Sequence, residues 1–400
     1  MKRILKNLGV TLAALLVALA LCEMILWAMK IDNPSFWRPD PRLGVRLRAG
    51  VEGWQTREGR AYVRINSKGL RDEERALEKP GDVYRIAVLG DSSVESLQVD
   101  LKDTFLSLLG QKLAECRYQP GKRIEVINFG VSGFGTAQDY LMLETEAGAY
   151  RPDLVLLAFS FNTDIRNNSR ALETDRMRPF FILDPAGRLV LDGSFSETAE
   201  FKRRTAPWRL LAWDIAGHSR LLRLLNFLKV NIEARRANEG GGAARSEAGA
   251  DDAFLAPPKN QAWRDAWAIT EAIILKIDEL ASRMGAKVLL IGLSAGAQVH
   301  PEPGVRAAIE KNLGIGDLHY PDTRLAEFAG KHGIRALMLA SEMQRFAETN
   351  RVFLHGFKNA AIGSGHWNEA GHRLAAEIIA RDLCANPLWV KPALQPAPDG

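Results

Sequence analysis

The run Arg85-Ile-Ala-Val-Leu-Gly-Asp-Ser-Ser93 constrains the fold more than any other stretch. Its apolar, β-branched residues do not alternate with polar ones, which fits a strand buried on both faces within a parallel sheet. It stops at Gly90-Asp91-Ser92, where glycine permits a sharp turn and aspartate can hold it by bonding nearby backbone. A serine there sits at the carboxyl end of the strand, where open α/β sheets place their ligands. Four further strand patterns follow, at Glu125–Phe129, Leu154–Phe159, Lys287–Ile291 and Ile334–Leu339. Helix patterns separate them, over about Asp103–Cys116, Thr136–Gly148, Trp263–Gly285, Thr323–His332 and Asn368–Cys384. Asp103 and Asn368 read as N-caps, Gly148 and Gly285 as terminal glycines. Strands alternating with helices predict an α/β fold, a parallel sheet covered on both faces.

Polar blocks stand at the ends of successive strand patterns. Gly90-Asp91-Ser92 ends the first, Asn128-Phe-Gly-Val-Ser-Gly133 the second and Phe159-Ser-Phe-Asn162-Thr-Asp164 the third. Gly365-His366-Trp-Asn-Glu-Ala-Gly-His372 lies near the end of the chain. A serine hydroxyl attacks only when a base takes its proton, and the resulting oxyanion needs donors.

This series resembles the SGNH (GDSL-type) hydrolase superfamily, and more narrowly its membrane-anchored, cell-envelope members, from about Asn66 to Cys384. The resemblance implies a three-layer α/β/α, flavodoxin-like sheet of five parallel strands in the order 2-1-3-4-5. It makes Ser92 the nucleophile and His366 the general base. The Ser92 and Gly133 N–H groups and the Asn162 amide would form the oxyanion hole. The family usually places an aspartate two or three residues before the histidine, but this chain has Ser364 and Gly363 there. That leaves three readings: a dyad oriented by a backbone carbonyl, an acid from elsewhere such as Asp317 or Asp322, or reduced activity. His372, inside the last helix pattern, reads as structural. In such a sheet the first and last helices run side by side, so Cys116 and Cys384 are expected either to be disulfide-bonded or to be two separate half-buried thiols.

One competing motif is Gly292-Leu-Ser-Ala-Gly296, which matches the Gly-x-Ser-x-Gly elbow of α/β-hydrolases. That elbow must enter a helix directly, whereas Ala297-Gln-Val-His-Pro-Glu-Pro303 carries two prolines. Ser294 is therefore not expected to be the nucleophile.

Leu8 to Met29 is nearly continuously apolar and long enough to cross a bilayer. No small-residue cleavage site ends it, and Lys2, Arg3 and Lys6 precede it. An uncleaved single-pass anchor is expected, with the amino terminus cytoplasmic and the body outside, in the periplasm of a Gram-negative cell. The net charge of +5 is scattered rather than gathered with aromatics on one face, which excludes a nucleic-acid footprint. The seven histidines are dispersed, and neither a metal-binding motif nor a Walker-type loop occurs, so no metal or cofactor is expected.

The chain thus divides into an anchor at 1–30, an extracytoplasmic lead-in at 31–81, a hydrolase domain at 82–390 and a tail at 391–400. The lead-in reads as an edge hairpin packed on the domain. An insertion at about 165–259 interrupts the domain. Within it Pro179–Leu191 reads as a β-hairpin around Asp184-Pro-Ala-Gly187, and Trp208 to about Ile232 as a basic amphipathic helix. That helix would be a lid, a membrane-surface helix or a packed surface helix. Ala237 to Pro258 is too polar to pack and is expected to be mobile. The expected activity is removal of an acetyl or other short acyl group from an envelope glycan. The alternatives are O-acyl transfer to an extracytoplasmic polysaccharide, or a catalytically weak glycan-binding or assembly protein.

Overall fold

The computed structural model describes residues 2–184, 186–239 and 252–388; the 391–400 tail lies outside them. The chain opens with helix α1 (Lys2–Ala28), whose Lys6–Ala28 portion has a mean hydropathy of 2.4 and is long and apolar enough to cross a membrane. Two antiparallel hairpins follow, β1 (Trp37–Asp40) with β2 (Gly44–Leu47) and β3 (Glu52–Gln55) with β4 (Ala61–Arg64). Then come β5 (Val83–Leu89), a single turn α2 (Ser92–Glu95), α3 (Phe105–Glu115), β6 (Arg123–Asn128), α4 (Thr136–Thr145), β7 (Leu154–Phe159) and α5 (Phe161–Asn167). Next are the hairpin β8 (Phe180–Leu183) with β9 (Leu189–Asp192), and helices α6 (Ala199–Arg204), α7 (Pro207–Ala216) and α8 (Arg220–Glu239). The chain ends through α9 (Gln261–Arg283), β10 (Lys287–Gly292), α10 (Pro303–Leu313), α11 (Tyr320–Lys331), β11 (Arg335–Met338), α12 (Ala340–Asn350) and α13 (Glu369–Ala385).

The central sheet is parallel throughout and runs β6-β5-β7-β10-β11, the 2-1-3-4-5 order. Successive strand residues face opposite sides. Ala87, Leu89, Val155 and Leu157 therefore join one core with α4, α9 and α11, and Ile86, Val88, Leu154 and Leu156 join the other with α3, α12 and α13. All seven residues of β5 are buried, which is why its sequence shows no alternation. On the second face α3 and α13 pack together, and Cys116 and Cys384 near their carboxyl ends are disulfide-bonded with Cα atoms 6.3 Å apart.

Several local expectations need correction. The N-cap of α3 is Thr104, whose hydroxyl accepts from Ser107 N–H at 3.3 Å, rather than Asp103. Helix α4 stops at Thr145, and Gly148 lies inside a following 3-10 turn (Ala147–Tyr150). The prolines after Ser294 do delay a helix, but Pro303 then opens α10, where its missing N–H costs nothing. The segment expected to be mobile is only partly described, since residues 240–251 lie outside. Its described end is not loose: Phe254, Leu255 and Ala256 are buried, with Phe254 and Leu255 in the core against α5 and α11.

The lead-in is sewn to the sheet by buried arginines. Arg85 pairs with Glu125 at 2.8 Å and donates to the carbonyls of Ala76, Leu77 and Tyr150. Arg71 is fully buried and donates to the carbonyls of Glu95, Ser96 and Val99. It thereby ties the lead-in to the loop that carries Ser92.

Candidate active site

The turn after β5 is held from both sides. Gly90 has φ +155°, and a Cβ there would meet Val94 Cγ2 at 2.5 Å and the Ala158 carbonyl at 2.9 Å, so only glycine fits. Asp91 caps α2, its Oδ1 accepting from Ser93 N–H at 2.8 Å, while its Oδ2 accepts from the Thr163 hydroxyl at 2.7 Å. Ser92 is thus fixed at the amino end of α2, and its Oγ lies 2.8 Å from His366 Nε2.

His366 is held from its other side by Glu58, from the loop between β3 and β4. Glu58 Oε2 lies 2.5 Å from His366 Nδ1, and Oε1 accepts from His366 N–H at 2.8 Å. Burial pushes the Glu58 carboxyl up, but the bonds from the His366 ring and backbone, with the nearby imidazole charges, outweigh it and leave its pKa below the usual value. The tautomer follows from chemistry. An ionised carboxylate only accepts, so Nδ1 carries the proton and Nε2 presents its lone pair to the Ser92 hydroxyl.

The lead-in hairpin is stapled in place by Asn359. Its Nδ2 donates to the carbonyls of Thr56 at 3.0 Å and Gly59 at 2.8 Å, and its Oδ1 accepts from Gly59 N–H at 3.0 Å. Gly59 has φ +68°, and a Cβ there would lie 2.3 Å from the Gln98 carbonyl, so the hairpin sits hard against the chain beyond α2.

Neither Asp317 nor Asp322 reaches the histidine. Asp317 accepts from His319 N–H at 2.6 Å; Asp322 bonds the Gln298 amide at 2.6 Å, and burial raises its pKa to about 6. The reading of the lead-in as only an edge hairpin also changes, because one of its loop residues contacts His366. No sequence motif marks Glu58, which lies 308 positions before its partner. The one available signal was the vacancy before His366.

Ser92 and Asn162 line one cleft of about 360 Å³ with Phe254, Val305, Ile309 and Ile362. Asn162 stands in the first turn of α5, whose other residues brace the site. Asp164 accepts from Ser160 N–H at 2.7 Å and from the Thr136 hydroxyl at 3.0 Å, and Asn167 donates to the Gly133 and Phe134 carbonyls. Gly133 lies in the loop after β6, next to Ser132. Ser132 lines a second cleft, of about 520 Å³, on the far side of His366 with Trp54, Arg57, Glu58, Trp213 and Phe227.

Ser294 lies in the first cleft and has a histidine of its own. Its Oγ is 3.0 Å from His355 Nε2 and accepts from Trp367 Nε1 at 2.9 Å. His355 Nδ1 is 2.7 Å from the Gly365 carbonyl, which can only accept, so Nε2 is the acceptor and the Ser294 hydroxyl donates to it. Burial depresses the His355 pKa to about 4. The hydroxyl is already engaged as donor and acceptor, and the network braces Gly365 and Trp367 on either side of His366. His372 is buried and accepts from Phe105 N–H at 3.3 Å, a packing role. Among the described residues no cluster of metal-binding side chains occurs.

No protein-family model matches the chain, and no curated protein matches it in sequence. Among solved structures it is similar to the acetyl xylan esterase AlAXEase, at 13% identity and a TM-score of 0.36, over 75% of this chain and 99% of that one. It is also similar to a catalytic mutant of an acetylxylan esterase from Geobacillus stearothermophilus, at 11% identity and a TM-score of 0.37, over 76% and 96%. For TesA the values are 14% and 0.34, over 75% and 98%. Likeness at this level carries no residue roles across, and the chemistry of this site rests on its own geometry.

Proposed function

We propose that the chain is a membrane-anchored serine ester hydrolase of the SGNH type, acting through an acyl-enzyme on Ser92. The observation that carries this reading is His366 bridging the Ser92 hydroxyl and the Glu58 carboxylate. In the proposed cycle Ser92 Oγ attacks the ester carbonyl carbon as its proton passes to His366 Nε2. Glu58 holds the imidazole in the productive tautomer and stabilises the imidazolium. The oxyanion would be met by the Ser92 and Gly133 N–H groups and the Asn162 amide. The leaving alcohol takes the proton from His366, and water repeats the sequence to release the acid. Every step uses groups of this chain, substrate and water.

The substrate class proposed is an acetyl or other short acyl ester on an envelope glycan. The compact first cleft suits a small acyl group, and the aromatic and polar second cleft suits a sugar. That second cleft also favours a second reading, O-acyl transfer, because it offers an acceptor hydroxyl a place beside His366 where water would otherwise react. A binding-only protein has less support, since the acid missing from before His366 is supplied by Glu58. The disulfide between Cys116 and Cys384 suits an oxidising compartment, and with α1 it supports a periplasmic body on the inner membrane.

The test uses a fluorophosphonate probe and a chromogenic acetyl ester, with Ser92→Ala and Ser294→Ala beside the parent. Labelling and turnover are expected to vanish with Ser92→Ala while Ser294→Ala still labels. A parent that neither labels nor turns over would sink the hydrolase reading. Acyl transfer to an added glycan, exceeding hydrolysis, would select the transferase.

A further inference from the structure

Helices α7 and α8 carry two faces of different character. At about 100° per residue, Trp208, Leu211 and Ile215 fall on one side of α7, and Leu222, Leu225 and Leu228 on one side of α8. These six side chains are 42–65% exposed. Trp213 and Phe227 point the opposite way and wall the second cleft beside His366. Soluble surfaces scatter single apolar residues but seldom align large ones in stripes.

The stripe is fixed beside the end of α1, and the inference drawn from it rests on the proposed reading of α1 as a membrane anchor. Glu23 of α1 caps the start of α8, accepting from the N–H groups of Arg220 at 2.9 Å and Leu221 at 3.1 Å and from the Ser219 hydroxyl. Just past α1, Asp32 pairs with Arg223 at 2.7 Å, and the Ile31 carbonyl accepts from Arg220. Glu23 lies inside the span Lys6–Ala28, so this contact sets the amino end of α8 at the bilayer boundary. A carboxylate so near hydrocarbon needs partners, and α8 supplies them. Trp208, with Arg209 Cζ 5.0 Å from its ring centroid, is an aromatic–basic pair of the kind that settles at headgroup depth.

We infer that α7 and α8 lie in the membrane interface with this stripe sunk among the lipids, so that the second cleft opens at the bilayer surface. The occupant is lipid because Glu23 and Asp32 fix α8 against the long apolar helix α1, which places the exposed stripe beside the end of that helix. Substrate would then be met close to the membrane, within about one helix diameter of the headgroups, roughly 10–12 Å.

Nitroxide scanning of the full chain in vesicles of phosphatidylethanolamine and phosphatidylglycerol tests this. In a Cys22→Ser background, Leu211→Cys, Ile215→Cys and Leu225→Cys are labelled, beside Leu15→Cys in α1 and Lys311→Cys on exposed α10. The stripe labels are expected to collide several-fold more with oxygen than with a water-soluble nickel chelate, as Leu15→Cys does, while Lys311→Cys shows the reverse. Stripe labels that behave like Lys311→Cys while Leu15→Cys reports lipid overturn the inference and leave the anchor standing. A Leu15→Cys label in water removes both. Spin–spin broadening at the stripe that grows with the protein-to-lipid ratio would show a second copy covering it, and would also overturn the inference. Thermal unfolding of each labelled variant establishes that it is folded.

Discussion

At the residue scale, the proposed chemistry turns on two bonds made by one carboxylate. Glu58 bonds both the ring and the backbone of His366, so it sets the tautomer and the position of the loop together. Glu58→Gln keeps the shape but can donate to Nδ1, which turns the proton to Nε2 and blocks it as a base. A wrong tautomer of this kind costs up to about 10⁴-fold in kcat in triad hydrolases. We expect a loss of roughly 10²–10⁴-fold, with KM little changed, in steady-state ester hydrolysis. The buried histidines set the response to acid. His355 and His372 are pushed down to about 4 and about 3 by burial, from an ordinary value of 6.5. Their folded pKa lies below the unfolded one, so the stability they confer is full above pH 6.5. It is lost as pH falls toward 4 and 3, on the order of 3–5 kcal/mol each at the limit. Thermal midpoints should therefore drop between pH 6.5 and 4, and His372→Asn should flatten that slope; an unchanged slope would exclude His372 as a contributor.

At the element scale, the site depends on which pieces are tied together. The disulfide joins α3, which follows the Ser92 turn, to α13, which follows the His366 loop. Removing a crosslink over so long a loop typically costs about 2–4 kcal/mol. Cys384→Ser, or reduction of the parent, should lower the unfolding midpoint by several degrees; free-thiol counts unaffected by reductant would argue that the bond does not form. The β3–β4 loop is held to the His366 loop by three bonds from Asn359. Asn359→Ala should let Glu58 wander and reduce kcat, though less than Glu58→Gln, because the carboxylate itself remains. Equal kcat in Asn359→Ala and parent would mean that the hairpin holds itself.

At the scale of the whole molecule, the lead-in and the insertion are not ornaments on a finished domain. The lead-in supplies Glu58 to His366, and the insertion supplies Trp213 and Phe227 to the second cleft and Glu23's partners to α1. On the proposed reading, the body is oriented at the membrane by the same segments that complete its site. On the proposed glycan reading, thinning that wall should weaken binding: Trp213→Ala is expected to raise KM for an acylated glycan several-fold while leaving a small chromogenic ester almost untouched. Equal effects on both substrates would place Trp213 outside the sugar path.

What the sequence alone determined was what local pattern encodes. Unbroken apolar strands gave a parallel two-faced sheet, Gly90-Asp91-Ser92 gave its turn, and Asn368 gave the cap that starts α13, because each depends on neighbours a few residues away. The resemblance implied which helices run side by side but left Cys116 and Cys384 open between a bond and two separate thiols, and the tertiary structure decides for the bond. The acid partner was illegible, and Glu58 rather than Asp317 or Asp322 stands at His366, because no local rule links a loop residue at position 58 to a histidine at 366. The depth of Phe254 and the exposed stripe of α7 and α8 were equally hidden. Periodicity tells a helix that it has an apolar side, but only the packing of distant elements decides which side is covered, and by what.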